Sequence, residues 1–387
     1  MENFEYCTPT RVLFGKGQVE ELPARLAAYG KKVLLTYGGG SIRKIGLYDK
    51  VKKLLDGFEI YELSGIEPNP KLQSVEEGAK MCKEKGVEVV LAVGGGSVLD
   101  CSKAICAAAC YDGQAWDLIT GKVPTKKALP LVTVLTLSAT GSEYDWGAVI
   151  SKPDTNDKVG YLDGHLFPAL SILDPEYTYT VSARQTAAGA ADIMNHVIEQ
   201  YFTAPNNYLA DKICESLLKT VIRYAPKAIG DPNDYEARAQ LMWASSLGCN
   251  GIAGLGNRYS GWPCHAIEHA LSGYYDITHG VGLAIVTPRW MRHILSEKTL
   301  ERFVNYAQNV WGIEVNGKDG FAVANEAIEK TYAYFVSLGL PMTLKEVGIG
   351  SERLGEMAHH IAVNEGLENA WSPLTEKDIL QILQECL

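Results

Sequence analysis

A chain of 387 residues, 47% of them hydrophobic and 21% charged, has the composition of a globular protein of two or three domains and excludes a disordered one. Lys and Arg number 36 against 46 Asp and Glu, a formal charge of −10, which excludes a general binder of nucleic acid or anionic membrane because both need a basic surface. Nine cysteines with no Cys-x-x-Cys pair read as small buried hydrophobes in a reducing cytoplasm; the acidic start reads as no secretory signal, and no apolar run approaches the roughly 20 residues that cross a bilayer.

Val33–Tyr37 predicts a buried strand that ends in Gly38-Gly39-Gly40-Ser41. A helical pattern over Lys44–Leu55, a strand over Glu59–Leu63 and a helix over Lys71–Lys85 follow. Val87–Val93 is a third strand, ending in Gly94-Gly95-Gly96-Ser97 before a helix over Val98–Cys110, and Leu131–Leu135 is a fourth. Continuous apolar strands separated by helices predict a parallel sheet with helices on both faces. From Ser182 onward the pattern is helical, with long stretches at Ala187–Phe202, Tyr208–Tyr224, Tyr235–Ser246 and Gly320–Leu338. The chain therefore reads as an α/β dinucleotide-binding domain over residues 1–180 and an all-helical domain over residues 181–387, with a ligand site expected in the cleft between them.

Strand, Gly94-Gly95-Gly96-Ser97, helix is a geometry suited to phosphate, since glycines admit the anion and the helix N-terminus offers amides and a positive dipole end. The same residues could form a tight turn in which Ser97 and Asp100 make a capping box. A second loop, Thr136-Leu137-Ser138-Ala139-Thr140-Gly141-Ser142-Glu143, leaves the next strand at the edge where such sheets bind ligands. The loop Gly38–Ser41 bears on the choice of dinucleotide. It carries no acid to grip a ribose 2′-hydroxyl, and Arg43 and Lys44 lie just beyond, which favours NADP(H).

Asp192 and His196 are four apart on one helical face. Three of the eight histidines, His265, His269 and His279, fall within fifteen residues downstream. One carboxylate with several imidazoles suits Zn²⁺ or Fe²⁺ and not Ca²⁺. His293, His359 and His360 read as ordinary surface or core residues.

These motifs resemble the iron-containing (group III) alcohol dehydrogenases, in particular their butanol dehydrogenase and NADPH-dependent aldehyde reductase branch. The likeness runs nearly end to end. It passes through Pro9–Gly17, Tyr37–Ser41, Gly94–Asp100 with Lys103, Ala139–Glu143 and Arg184-Gln185, to Gly261-x-x-x-His265-x-x-x-His269-x-x-x-Gly273 and His279-Gly280. The resemblance implies an architecture like that of dehydroquinate synthase and an enzyme interconverting short-chain aldehydes and primary alcohols. It implies one divalent metal, Fe²⁺ or Zn²⁺, on Asp192, His196, His265 and His279, with His269 beside it as the candidate catalytic residue. Gly38, Gly39, Gly40, Ser41, Gly94, Gly95, Gly96, Ser97, Asp100, Thr136, Thr140, Lys158 and Tyr177 would bind NADP(H). A homodimer is implied, with no nucleic-acid or membrane partner. Tyr144-Asp145-Trp146 departs from the smaller residues of many relatives and points, with Trp262, to a narrow pocket.

Two other readings use the same residues. His265-Ala266-Ile267-Glu268-His269 matches the H-x-x-E-H pattern of some metallopeptidases, with Glu268 as base. A metal-dependent cyclising lyase of the dehydroquinate synthase type would share the two-domain plan.

Overall fold

A computed structural model describes residues 1–202, 204–257 and 262–387. Among the described residues eight strands occur in order: β1 (Arg11–Phe14), β2 (Lys32–Thr36), β3 (Glu59–Leu63), β4 (Val89–Gly94), β5 (Leu131–Leu135), β6 (Gly147–Lys152), β7 (Asp157–Leu162) and β8 (Leu170–Leu173). Six of them form one sheet in the order β1-β8-β5-β4-β2-β3, every pairing parallel. The central strands β4 and β5 are buried along their whole length, as their valine and leucine runs require of a sheet covered on both faces.

Because side chains alternate across a strand, one run feeds two apolar layers. Leu34, Val90, Ala92, Leu131 and Leu135 pack in one, together with residues of α2 (Leu72–Lys85) and α3 (Gly96–Ala108). Val33, Leu35, Val89, Leu91, Val93, Val132 and Val134 pack in the other, beside α1 (Leu47–Leu54).

The order of the strands fixes where a ligand can lie. From β2 the chain moves outward to β3, then returns across β2 to β4 and continues the other way through β5. The reversal falls between β2 and β4, and in open parallel sheets the crevice at such a reversal is the usual ligand site. Both triple-glycine loops leave the carboxyl ends of these two strands.

Among the described residues after β8 the long elements are helices: α4 (Ala183–Tyr201), α5 (Tyr208–Gly230), α6 (Tyr235–Cys249), α7 (Pro263–Tyr275), α8 (His279–Ile294), α9 (Leu300–Trp311), α10 (Gly320–Ser337), α11 (Leu354–Asn364) and α12 (Glu376–Glu385). Ser182 starts α4, its hydroxyl accepting the Gln185 amide at 3.2 Å. Two compact units result. One comprises Cys7–Val181 with Asp231–Ser246; the other comprises Met1–Tyr6, Ser182–Gly230 and Leu247–Leu387. Two short segments thus fall outside a single cut near residue 180. Met242 of α6 belongs to a core layer of the sheet unit.

Some elements differ from their sequence expectation. The helix expected over Lys44–Leu55 is a short turn at Ser41–Lys44 and then α1, separated by Gly46 at φ 72°. β1 and β8 complete the sheet, and the antiparallel β6–β7 hairpin lies apart from it. Cys101 and Cys106 are buried as expected of small hydrophobes, whereas Cys110 and Cys7 are exposed. Among the described residues no helix is long and apolar enough to cross a membrane.

Candidate active site

The sheet unit brings two of its loops into contact. Thr136 donates its amide to the Gly94 carbonyl at 2.9 Å, and a Cβ added at Gly96 would stand 2.4 Å from Thr140 Cγ2. Only glycine at position 96 lets the loops approach so closely. Ser97 opens the first turn of α3, where helical amides have no intrahelical acceptor and the dipole favours an anion. At Gly39 and Gly40, after β2, the positions a Cβ would take are open space. A pyrophosphate fits these surroundings. Lys158 is buried on β7, and Tyr177 is half-buried in the turn Pro175–Thr178, packed on the apolar layer that holds Val33 and Ile172.

Asp100 is not part of a capping box. The residue before α3 is Gly95, and no side chain caps the helix. Asp100 instead turns inward, accepting the Ser142 hydroxyl at 2.6 Å and the Val149 amide at 2.9 Å. Glu143 is fully buried, and burial pushes its carboxyl up to about 7 against the opposing hydrogen bond from Ser246. Tyr144 and Trp146 pack within their own unit, on Trp243 and Phe167.

An acid that local sequence did not place lies near the Gly38–Ser41 loop. Glu62, next to last in β3, accepts Tyr37 Oη at 2.9 Å, Tyr48 Oη at 3.0 Å and Lys52 Nζ at 2.9 Å. Burial works to raise its carboxyl, but these donors prevail and hold it below the usual range. Arg43 donates to Tyr37 Oη at 2.5 Å, lies 3.7 Å above the Tyr48 ring and stands 3.8 Å from Glu62.

The helical unit gathers the histidines around one oxygen. From Asp192 Oδ1 the distances to Nε2 are 3.5 Å for His196, 4.0 Å for His265 and 3.7 Å for His279. Ligands about 2.1 Å from a tetrahedral ion stand about 3.4 Å apart; Asp192, His265 and His279 each offer an atom within 4.8 Å of the others, and His196 reaches the same Asp192 oxygen without joining that mutual set. Asp192 and His196 leave one face of α4 one turn apart. His265 sits in the first turn of α7, which Pro263 starts with its fixed φ. α7 ends at Asp276, in the left-handed conformation at φ 51°, and the chain reverses so that α8 begins at His279. The ring centroids of His265 and His279 are then 5.2 Å apart.

Two buried glutamates orient the rings. Glu199, two turns beyond Asp192 on α4, meets His265 Nδ1 through Oε2 and accepts the Cys264 amide at 2.6 Å through Oε1. Glu268 meets His279 Nδ1 through Oε2, with Ser272 Oγ on its other oxygen. With the Nδ1 protons given to carboxylates, each Nε2 would carry the lone pair, the arrangement known for histidines that hold metals. Burial raises the proton affinity of Glu199 and lowers that of His196, because it disfavours the charged form of each. Neither glutamate was singled out as a support by sequence reasoning. For Glu199 the signal was present, since it follows Asp192 at i+7 and His196 at i+3.

Glu268 therefore cannot be the base of a peptidase, being fully buried and engaged with His279 and Ser272. His269 stands beside the cluster, its ring centroid 5.7 Å from His279 and 6.1 Å from His265. Trp262 meets His196 and His265 edge-on at 5.8 and 5.1 Å. Gly261, the first residue of the histidine motif, lies outside the described residues.

The family model described as iron-containing alcohol dehydrogenase matches residues 9–175, and that of the Fe-containing alcohol dehydrogenase family, C-terminal, matches residues 186–387. The chain is 49% identical to NADH-dependent butanol dehydrogenase A of Clostridium acetobutylicum over all of both chains. It is 40% identical to the NADPH-dependent aldehyde reductase YqhD of Escherichia coli over 90% of each. The crystal structure of NADH-dependent butanol dehydrogenase A from Thermotoga maritima superposes with a TM-score of 0.95, at 38% identity, covering 100% of this chain and 99% of that one.

Proposed function

The chain belongs to the iron-containing alcohol dehydrogenases, and on that premise we propose that it interconverts short-chain aldehydes and primary alcohols with NADP(H) and one divalent metal, Fe²⁺ or Zn²⁺. The convergence of three imidazoles on Asp192 Oδ1 carries the reading. Asp192, His196, His265 and His279 would hold the metal. A divalent cation there would polarise the substrate oxygen, and a reduced nicotinamide would supply the hydride.

The protein's own groups do the rest. Glu199 and Glu268 fix the ring orientations of His265 and His279, so little reorganisation remains for the reacting state. His269, outside the ligand set, is the group we assign to carry a proton at Nε2 to the substrate oxygen. Trp262 closes the space beside His196 and His265, which supports a short-chain substrate. Loops Gly94–Ser97 and Thr136–Thr140, with Gly38–Ser41, are assigned to the dinucleotide, as are Lys158 and Tyr177.

Glu268→Gln is expected to weaken metal affinity about 10- to 100-fold, read by competition with a chromogenic chelator. The amide can present its NH₂ to His279 and spoil the tautomer. Unchanged affinity would remove Glu268 from its supporting role.

NADPH is assigned over NADH because Glu62, the acid beside Arg43, is occupied. Glu62 already accepts from Lys52, Tyr37 and Tyr48, so it is poorly placed to take a ribose hydroxyl. Arg43, half-exposed, and Lys44 leave the local charge positive toward a 2′-phosphate. Reduction of butanal is the direct test. The ratio of kcat/KM for NADPH over NADH is expected to exceed about 10, the effect of one favourable charge contact. A ratio at or below one overturns the NADP(H) assignment, and turnover with neither nucleotide overturns the function.

We assign the chain to a homodimer in the cytoplasm. β1, at the sheet edge, leaves a row of backbone groups that a second copy could meet, and all nine cysteines are free thiols. A light-scattering mass near twice 42.2 kDa is expected, and a mass near 42.2 kDa at micromolar concentration would exclude the dimer.

A further inference from the structure

Behind the Gly94–Ser97 loop lies a buried polar network that the chemistry above does not use. Asp100 of α3 accepts Ser142 Oγ at 2.6 Å on one oxygen and the Val149 amide at 2.9 Å on the other. One turn on, Lys103 is fully buried. Its Nζ donates to Asp145 Oδ1 at 2.6 Å, to the Asp145 carbonyl at 3.1 Å and to the Gly147 carbonyl at 2.7 Å, which uses all three ammonium protons. Asp145 Oδ1 also accepts the Gly147 amide at 2.7 Å. Thr140 Oγ1, in contact with Gly96 across the two loops, accepts the Ser142 amide at 3.2 Å.

These bonds join three pieces of chain. α3 carries the first loop, residues 136–142 are the second, and β6 begins the hairpin that bears Lys158. Asp100 has a charged carboxylate's acceptor capacity turned wholly inward. Burial pushes its carboxyl up to about 6, with Lys103, the Ser142 hydroxyl and the Val149 amide opposing.

We propose that Asp100 and Lys103 are positioning residues for the dinucleotide: Asp100 straps the Gly94–Ser97 loop to the Thr136–Ser142 loop through Ser142, and Lys103 fixes the exit of the second loop. The proposal rests on the assignment of these loops to NADP(H), and it replaces direct contact by Asp100 with indirect support. Loops held together before the ligand arrives bind it without an ordering cost at that moment. Loss of the strap should therefore weaken nucleotide binding and leave the later chemistry alone.

The test uses the full-length, metal-loaded enzyme. NADPH is titrated by nicotinamide fluorescence, and butanal reduction gives kcat and KM. Ser142→Ala removes one hydroxyl and leaves the Asp100 to Val149 bond in place, so the variant should fold. Its Kd and KM for NADPH are expected to rise about tenfold, as for one hydrogen bond to a charged group, with kcat within about twofold. Metal content and Tm should stay close to those of the wild type, which a general loss of structure would not allow. Adding Ser142→Ala to Asp100→Ala should cost little further, because Asp100→Ala has already removed the acceptor of the Ser142 hydroxyl. Unchanged Kd in Ser142→Ala overturns the strap, as does an undiminished second loss in the double variant, which would mean that Ser142 acts independently of Asp100. Wild-type enzyme that bound neither NADPH nor NADH would sink the loop assignment and the strap with it.

Discussion

Asp192→Asn is expected to abolish turnover while nucleotide binding survives. Asp192 Oδ1 is the atom on which His196, His265 and His279 converge, at 3.5, 4.0 and 3.7 Å. An amide keeps the shape but removes the only carboxylate charge among the proposed ligands. Metal content after dialysis should fall below about a tenth of the wild-type value, since weaker ligation at a site of this kind costs tens of fold in affinity. Charge stabilisation worth about 4 kcal/mol is then lost, and kcat should drop by roughly three decades. NADPH fluorescence should titrate as in the wild type, because the glycine loops belong to the other compact unit. A variant that kept both its metal and its rate would remove Asp192 from the ligand set.

Gly280→Ala is expected to be as damaging, through packing. An added Cβ would stand 2.0 Å from the Ala188 carbonyl oxygen and 2.7 Å from its carbon, both backbone atoms of α4. A side chain can rotate away from such a clash, but a carbonyl in the middle of a 19-residue helix cannot. The first turn of α8 would be forced outward, and His279 would go with it. The cost should be about 3 kcal/mol or more, at the upper end for overpacking, read as a loss in chemical denaturation together with metal loss. Gly355→Ala is the control. That glycine is also helical, with nothing within 4 Å of the added carbon, and alanine there should stabilise by about 0.5–1 kcal/mol. Equal effects of the two substitutions would show that the contact with Ala188 is not limiting.

The sequence exposed those parts of the fold whose residues repeat locally. β4 and β5 are unbroken apolar runs because both their faces are covered. Asp192 and His196 were found because four residues make one turn of helix. β1 escaped because only four residues pair and none is fully buried, so the strand has no apolar alternation to read. Asp100 was misplaced for a physical reason. Its spacing from Ser97 fits a capping box, but a buried hydroxyl 42 positions away and the Val149 amide offered a better pair of donors. Glu62 was invisible as a neighbour of Arg43 until β2 and β3 paired in register, Leu35 beside Glu62. The supporting role of Glu268 likewise depended on a chain reversal at Asp276 that nothing in the histidine spacing announces.

α4 carries Asp192, His196 and also Glu199, the support of His265, so one rigid rod defines most of the proposed socket. His279 comes from α8, held by Glu268 on α7 and by the close packing of Gly280 on the Ala188 backbone of α4. A socket drawn to size before the ion arrives asks little rearrangement of whichever ion enters. It then selects weakly among divalent ions that accept tetrahedral nitrogen and oxygen, so the occupant follows the supply in the surrounding cell.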